Sequence, residues 1–354
     1  MRNNILSLCA LVFSCISLCI GCTNNNDDSK SLNKTNAVYY WRTILECDSI
    51  ERDYLKVNEV NRAYVRFFDI VVDESPIAMD AVVPNATLQI KGTLPVKDIV
   101  PTIYITPEAI AKMQSGEDAW AEKIVKRIYN MCSYNEIDEP KELQLDCDWT
   151  MRTQQTFFAL CTAVKKELQK RNPEALLSAT IRLHQLKTPV PPVDYGVLML
   201  YNTGSFENPK EFNSIISVEN IKPYLKYLGG YSLRLDYAYP IFSWNLVYNR
   251  NNYFKGLINS SYDLPDNILT HISENNYEIA KDTIINNVYL YKGDVIRKEG
   301  APFKTIMDVK NLVEQYSDKK PRNIILYQLD KKNISNYSSD EFKQIYKYNS
   351  SLKN

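Results

Sequence analysis

Glycine is scarce in this chain, with 10 among 354 residues, and no G-x-G-x-x-G or P-loop pattern occurs. That removes the glycine-rich loops whose backbone N–H groups close on phosphates, and with them the common nucleotide sites. Histidine is scarcer, at two residues. The cysteines beyond position 22 show no C-x-x-C spacing, so a structural zinc site lacks its donors, and no metal or cofactor is expected. Charge of one sign is also missing: 42 Lys and Arg stand against 42 Asp and Glu. With no basic excess to neutralise phosphates, nucleic acid is not an expected partner.

What is present begins with a targeting pattern. Arg2 precedes an apolar run from Ile5 to Ile20 that is too short, and too closely followed by polar residues, to be a mature membrane span. The run ends in Cys19-Ile20-Gly21-Cys22, which resembles the bacterial lipobox, with Cys19 where Leu is usual. The resemblance implies a signal peptide over residues 1–21 and acylation of Cys22. Residues 22–36 are polar and apolar-poor, as a tether should be. No Asp follows Cys22, which in a Gram-negative lipoprotein implies passage to the outer membrane, on its periplasmic side or at the cell surface. Four cysteines remain in the body, Cys47, Cys132, Cys147 and Cys161. A disulfide is permitted in that compartment, and buried free thiols are the alternative.

Residues 37–354 read as one large domain. Strands are expected at Val38–Arg42, Arg62–Asp69, Asp98–Thr106, Glu142–Thr150, Leu176–His184, Tyr195–Tyr201, Ser232–Tyr237 and Asn323–Leu329. Helical spacing falls at Ser49–Asn58, Glu117–Met131, Thr153–Arg171, Val218–Leu228, Thr305–Tyr316 and Ser339–Tyr348. Eight strands separated mostly by helices predict a (β/α)8 TIM-like barrel. Two places fit poorly. The Pro-rich link between His184 and Tyr195 has no room for a helix and predicts an extended return. About 250–321 lacks barrel periodicity and reads as a small α+β insertion, or as a small C-terminal module. It includes an expected hairpin over Val288–Glu299 with its turn at Lys292-Gly293.

The most informative stretch is Glu142–Thr150. Leu143, Leu145, Cys147 and Trp149 alternate with Gln144, Asp146, Asp148 and Thr150, which is the period of a strand with one apolar face. Two carboxylates on the other face must meet cations, water or a ligand. Several phrases, among them YYWRT from Tyr39, YVRFFD from Tyr64, LQLDCDWT from Leu143 and YPIFSWNLVY from Tyr239, resemble an uncharacterised family of bacterial outer-membrane lipoproteins. A second resemblance is to chitinase-type glycoside hydrolases (family eighteen), which carry D-G-x-D-x-D-x-E on the fourth barrel strand and M-x-Y-D on the sixth. Asp146 and Asp148 match the second and third Asp, and Met199-Leu200-Tyr201 matches the sixth-strand pattern, with Asn202 in place of its Asp. Leu143 stands at the first Asp, and Thr150 stands where that family has its acid Glu. A threonine hydroxyl is far too weakly acidic to protonate a leaving oxygen, a step worth about 10²–10⁴-fold.

Active sites of such barrels lie at the C-terminal ends of the strands. The residues expected there for chemistry are Asp146, Asp148 and Tyr201, with Asp236 and then Asp69 as substitute acids. Trp149, Arg182, His184, Asn202, Arg66 and Tyr237 are the expected ligand contacts. Arg234 is also expected to face the interior. Two functions follow: a lipid-anchored glycosidase-like barrel that binds or processes glycans, or a non-catalytic lipoprotein whose Asp and Arg side chains form a salt-bridge network.

Overall fold

The computed structural model describes residues 35–77, 81–259, 264–285 and 287–349. The expected signal peptide, Cys22 and nearly all of the tether lie outside these residues. Eight parallel strands close into a barrel in chain order: β1 (Thr35–Tyr40), β2 (Val60–Asp73), β3 (Asp98–Ile105), β4 (Glu142–Cys147), β5 (Leu176–Ile181), β6 (Tyr195–Met199), β7 (Leu235–Pro240) and β8 (Asn323–Tyr327). β8 pairs with β1, Ala37 against Ile325, and completes the ring. The (β/α)8 expectation therefore holds, and each strand overlaps the stretch expected for it.

Helices cover the outside because their apolar stripes meet the outward residues of the strands. On helix Gln154–Arg171, Phe157, Leu160, Cys161 and Val164 are buried, opposite Leu143, Leu145 and Cys147 of the strand before it. All four cysteines of the body are buried free thiols, so no disulfide forms among them. Burial pushes the Cys47 and Cys132 thiols up to about 11.

The barrel interior explains the abundance of tyrosine. Tyr39 and Tyr64 pack against each other inside, their rings tilted by 36° with centroids 5.2 Å apart. Tyr39 Oη donates to Gln144 Oε1 at 2.8 Å, and the hydroxyls of Tyr64 and Tyr195 lie 3.3 Å apart. A tyrosine fills the barrel with a large ring and still finds a partner for its polar tip. A β-bulge in β2 shifts the register between Arg66 and Phe68. Residues three apart on a regular strand face opposite ways; the bulge turns Arg66 and Asp69 to the same side, where they pair.

The Pro-rich link after β5 contains a short 3₁₀ turn, Leu183–Lys187, before it extends. β5 ends at Ile181, so Arg182 and His184 belong to the loop rather than to the strand. Asp194 fastens the return by accepting from Leu177 N at 2.8 Å and pairing with Lys165 at 2.6 Å.

Between β7 and β8 the chain forms a five-stranded antiparallel sheet with its own small core of Val247, Ile258, Ile279, Leu290 and Ile296. It begins at Trp244. Helix Phe303–Tyr316, expected inside the insertion, instead packs on the main barrel core through Ile306, Val309 and Val313. The hairpin expected over Val288–Glu299 does not form. Its turn is present, with Gly293 at φ 85°. Val288–Leu290 pairs with Thr283–Ile285, whereas Val295–Glu299 lies between Trp244–Tyr248 and Asn276–Ile279. The buried Ile296, Arg297 and Glu299 suit Val295–Glu299 to the middle of a sheet, not to one arm of a free hairpin.

Candidate active site

At the C-terminal ends of the strands a cavity of about 540 Å³ opens in the barrel mouth. Asp146, Asp148, Arg182, His184, Met199, Tyr201, Asn202 and Tyr327 line it, together with Trp41, Tyr104, Phe206 and Tyr224. Six expected site residues, Asp146, Asp148, Arg182, His184, Tyr201 and Asn202, are therefore brought together.

Asp146 is the last inward residue of β4, and it is held firmly. Its Oδ1 accepts from Thr180 Oγ1 at 2.6 Å and from Arg182 Nη2 at 2.9 Å. Arg182 also meets Met199 Sδ. Burial is the largest single influence on the Arg182 guanidinium and would lower it, but Asp146, Tyr201, Asp148 and Tyr39 together outweigh burial and hold it above its ordinary value. Asp148 lies one residue past the strand. Its side chain is 46% exposed and its Oδ1 sits 3.4 Å from His184 Nε2. That Oδ1 is itself shielded and has no hydrogen-bond partner. The two loops are locked by Gln185, fully buried, which accepts from Arg182 N at 2.8 Å and donates to Trp149 O at 3.0 Å.

Across the mouth, Tyr201 stacks on Tyr327 with centroids 4.6 Å apart. Its hydroxyl is buried and unpartnered, and burial raises it well above the ordinary phenol value. Asn202 follows with φ 52°, a left-handed position that Asn tolerates better than most residues. A shielded carboxylate oxygen and a phenol, neither satisfied, beside aromatic walls suit a ligand with hydroxyl or amide groups and an apolar face.

Thr150 is exposed and does not line this cavity. Its N–H donates to Thr153 Oγ1 at 3.0 Å and its Oγ1 accepts from Arg152 N at 3.3 Å, so the residue is folded into the turn that precedes the next helix. Among the described residues, Asp146 and Asp148 are the only acids lining the mouth cavity.

Six expected residues do not line the cavity. Asp236 lies at the barrel floor, fully buried. Its carboxylate accepts from Arg322 N at 2.7 Å, Asn323 N at 2.9 Å and Asn323 Nδ2 at 2.5 Å. Burial raises its pKa, against the opposing pull of Arg322 and Asn323. It shares the floor with Glu142, which accepts from Ser178 Oγ at 2.8 Å and Arg62 Nη1 at 3.1 Å. This is a structural charge network, distant from the mouth by the length of a strand. Trp149 is 1% exposed and packs on Phe157 and Phe158 at 6.1 and 5.3 Å, beneath the helix. Tyr237 is equally buried and donates to Ser317 Oγ at 2.5 Å behind the barrel wall. Arg234 donates to Lys320 O at 3.2 Å, outside the interior. Arg66 and Asp69 stand beside the mouth, where Arg66 lies 5.7 Å from the Trp41 ring, but they pair with each other and neither lines the cavity.

Tyr104, Phe206 and Tyr224 join the mouth without having been expected. Tyr104 shares the inward face of β3 with Thr102, so alternation alone points to it. Phe206 and Tyr224 arrive from a loop and a helix, where periodicity carries no such signal.

No family model and no curated protein matches this chain by sequence. Its three-dimensional structure is similar to the chitinase of Chromobacterium violaceum, with a TM-score of 0.52 at 10% identity over 88% of this chain and 98% of that one. It is also similar to the spore cortex-lytic enzyme SleL of Bacillus cereus, with a TM-score of 0.51 at 11% identity over 88% of this chain and 74% of that one. Identity this low shows the fold alone: a closed, parallel, eight-stranded barrel with helices between its strands, of the kind on which these glycan-cleaving enzymes are built.

Proposed function

We propose that this chain binds a glycan in the barrel mouth and does not cleave it. One observation carries the reading: the cavity keeps its aromatic walls and the pair Asp146 and Asp148, while Thr150, at the position of the acid, is an exposed turn residue. Cleavage of a glycosidic bond needs a carboxyl group that delivers a proton to the leaving oxygen. Asp146 is spent on Arg182 and Thr180, and Asp148 is half-exposed beside His184. The ligand class favoured by the two similar structures is a polymer containing N-acetylated sugars, as in chitin or spore cortex. The floor network supports a structural role for Asp236 and Glu142 without closing the mouth above them.

The test is calorimetric titration with chito-oligosaccharides, paired with mass spectrometry of the same mixtures. Saturable binding with no shortened product supports the reading. Product release that disappears in Asp148→Asn would replace it with hydrolysis.

We further infer that the barrel is held at the outer membrane by a lipid on Cys22, on the strength of the lipobox-like Cys19–Cys22 and the polar segment after it. Cys22→Ala should move the chain from the membrane fraction to the soluble periplasm or medium; unchanged fractionation would overturn this.

A further inference from the structure

A cavity of about 770 Å³ lies on the outside of the barrel, away from the mouth, between helix Glu117–Tyr134 and the segment from Pro84 to Ile90. The helix contributes Trp120, Lys123, Ile124, Arg127, Met131 and Tyr134. Those positions form one stripe at the helical repeat, which in a (β/α)8 barrel is normally covered by a neighbouring element. At 1.5 Å per residue the stripe is about 21 Å long, enough for one acyl chain, which spans about 15 Å as half of a bilayer's hydrocarbon core. The facing wall is apolar as well, built from Phe68 and Ile70 of β2 with Leu88 and Ile90.

The charged groups of this groove are of one sign. Lys123, Lys126 and Arg127 line it, and among the described residues no Asp or Glu does. Arg127 is positioned: its guanidinium lies 5.1 Å from the Phe68 ring centroid and its Nη2 donates to Thr87 Oγ1 at 2.9 Å. Its Nε is buried without an acceptor. Lys123 Nζ lies 4.6 Å from the Trp120 ring centroid. In a chain whose total charge is balanced, three cations and no acid around an apolar trough are complementary to one kind of occupant, an apolar body with an anionic head.

We propose that this groove binds a single-chain anionic amphiphile, a long-chain fatty acid, with its tail along the helix stripe and its carboxylate at Lys123, Lys126 and Arg127. The site is separate from the mouth and stands whether or not a glycan binds there.

Palmitate titrated into the full-length chain, followed by tryptophan fluorescence and by native mass spectrometry, should bind saturably at one per chain. Lys123 and Lys126 are exposed, so Lys123→Glu with Lys126→Glu leaves the fold intact and should weaken palmitate roughly tenfold or more. Hexadecanol, which lacks the charge, should bind more weakly and be indifferent to that reversal. Asn130 lines the groove from an exposed position, and Asn130→Trp should weaken both probes by filling it, with unchanged thermal melting as the folding control. Absence of saturable palmitate binding overturns the proposal, as does equal binding of the two probes that ignores the charge reversal. A dimer in sedimentation that Asn130→Trp dissociates would assign the groove to a second copy and overturn it too.

Discussion

The two aspartates of β4 and its following loop differ in what they are free to do. Asp146 is committed to Thr180 and Arg182, whereas Asp148 offers a shielded oxygen with no hydrogen-bond partner. A ligand hydroxyl or amide that donates to Asp148 gains a charge-assisted bond worth about 1.5–3 kcal/mol. Asp148→Asn should therefore weaken chito-oligosaccharide binding about tenfold to a hundredfold, measured by calorimetry. Thr150 permits a sharper check. If only its chemistry departed from the glycosidase pattern, Thr150→Glu would install an acid and create turnover. Its backbone is held in a turn and its side chain is exposed, so Thr150→Glu should release no product in a mass-spectrometric assay. The fate of the other candidates shows what alternation can and cannot reveal. It gives the face of a side chain but not its depth. Asp236 is inward as expected, yet β7 begins three residues later than the sequence suggested, at Leu235 rather than Ser232. Asp236 is thus the second residue of its strand and lies at the floor. Trp149 follows Leu143, Leu145 and Cys147 on the apolar side, and the structure keeps it there, under the helix. Its alternation argued for packing, and an aromatic ring near a strand end is a weaker argument for ligand contact.

At the level of elements, the barrel was legible because strand and helix periods alternate through most of the chain and each strand carries a continuous inward or outward set. The insertion was less so. Its strands are short, and their pairing depends on partners far apart in sequence, such as Trp244–Tyr248 against Val295–Glu299, which a local turn signal does not encode. The packing of β4 against its helix predicts a stability change. Trp149→Ala empties a fully packed site and should cost about 3–5 kcal/mol in denaturant unfolding, whereas His184→Ala, half-exposed at the mouth, should stay within about 0.5 kcal/mol. The floor network predicts a pH effect of defined sign. Burial raises Asp236 above its ordinary value even with Arg322 and Asn323 opposing, so the folded state binds a proton more tightly than the unfolded chain does. Its contribution to stability is greatest below the unfolded carboxylate pKa and is lost as pH rises through the folded value. Compared with Asp236→Asn, the unsubstituted chain should gain relative stability as pH is lowered from about 7 toward about 4 in urea unfolding. A relative loss on acidification would mean that pairing, not burial, governs the floor.

For the molecule as a whole, the insertion is placed where it can lengthen the mouth. A cavity of about 340 Å³, lined by Trp244 and Leu257 of the insertion and by Gln328 and Asp330 after β8, adjoins the mouth cavity at Asn202 and Tyr327. The insertion is held in place from the barrel side. Arg297 and Glu299, both fully desolvated at their side chains, pair at 2.6 Å. Glu299 also accepts from Ser214 Oγ at 2.6 Å and Trp244 Nε1 at 2.7 Å, while Arg297 Nη1 donates to Asn208 O at 2.8 Å. The loop after β6 and the insertion are thereby one wall, with Trp244 anchored in it. On the proposed reading, a short sugar ligand would be held in the mouth alone, and a longer one would extend past Asn202 and Tyr327 toward Trp244. Trp244→Ala should therefore weaken a chito-hexaose by about tenfold, the loss expected for one stacking ring of about 1–1.5 kcal/mol, and leave chitobiose unchanged. Arg297→Met tests the anchoring separately. It strands Glu299 without its cation and should cost about 3–5 kcal/mol of stability, with the hexaose again losing more affinity than the disaccharide. Equal losses for short and long ligands in both variants would mean that the insertion stabilises the barrel but takes no part in the cleft.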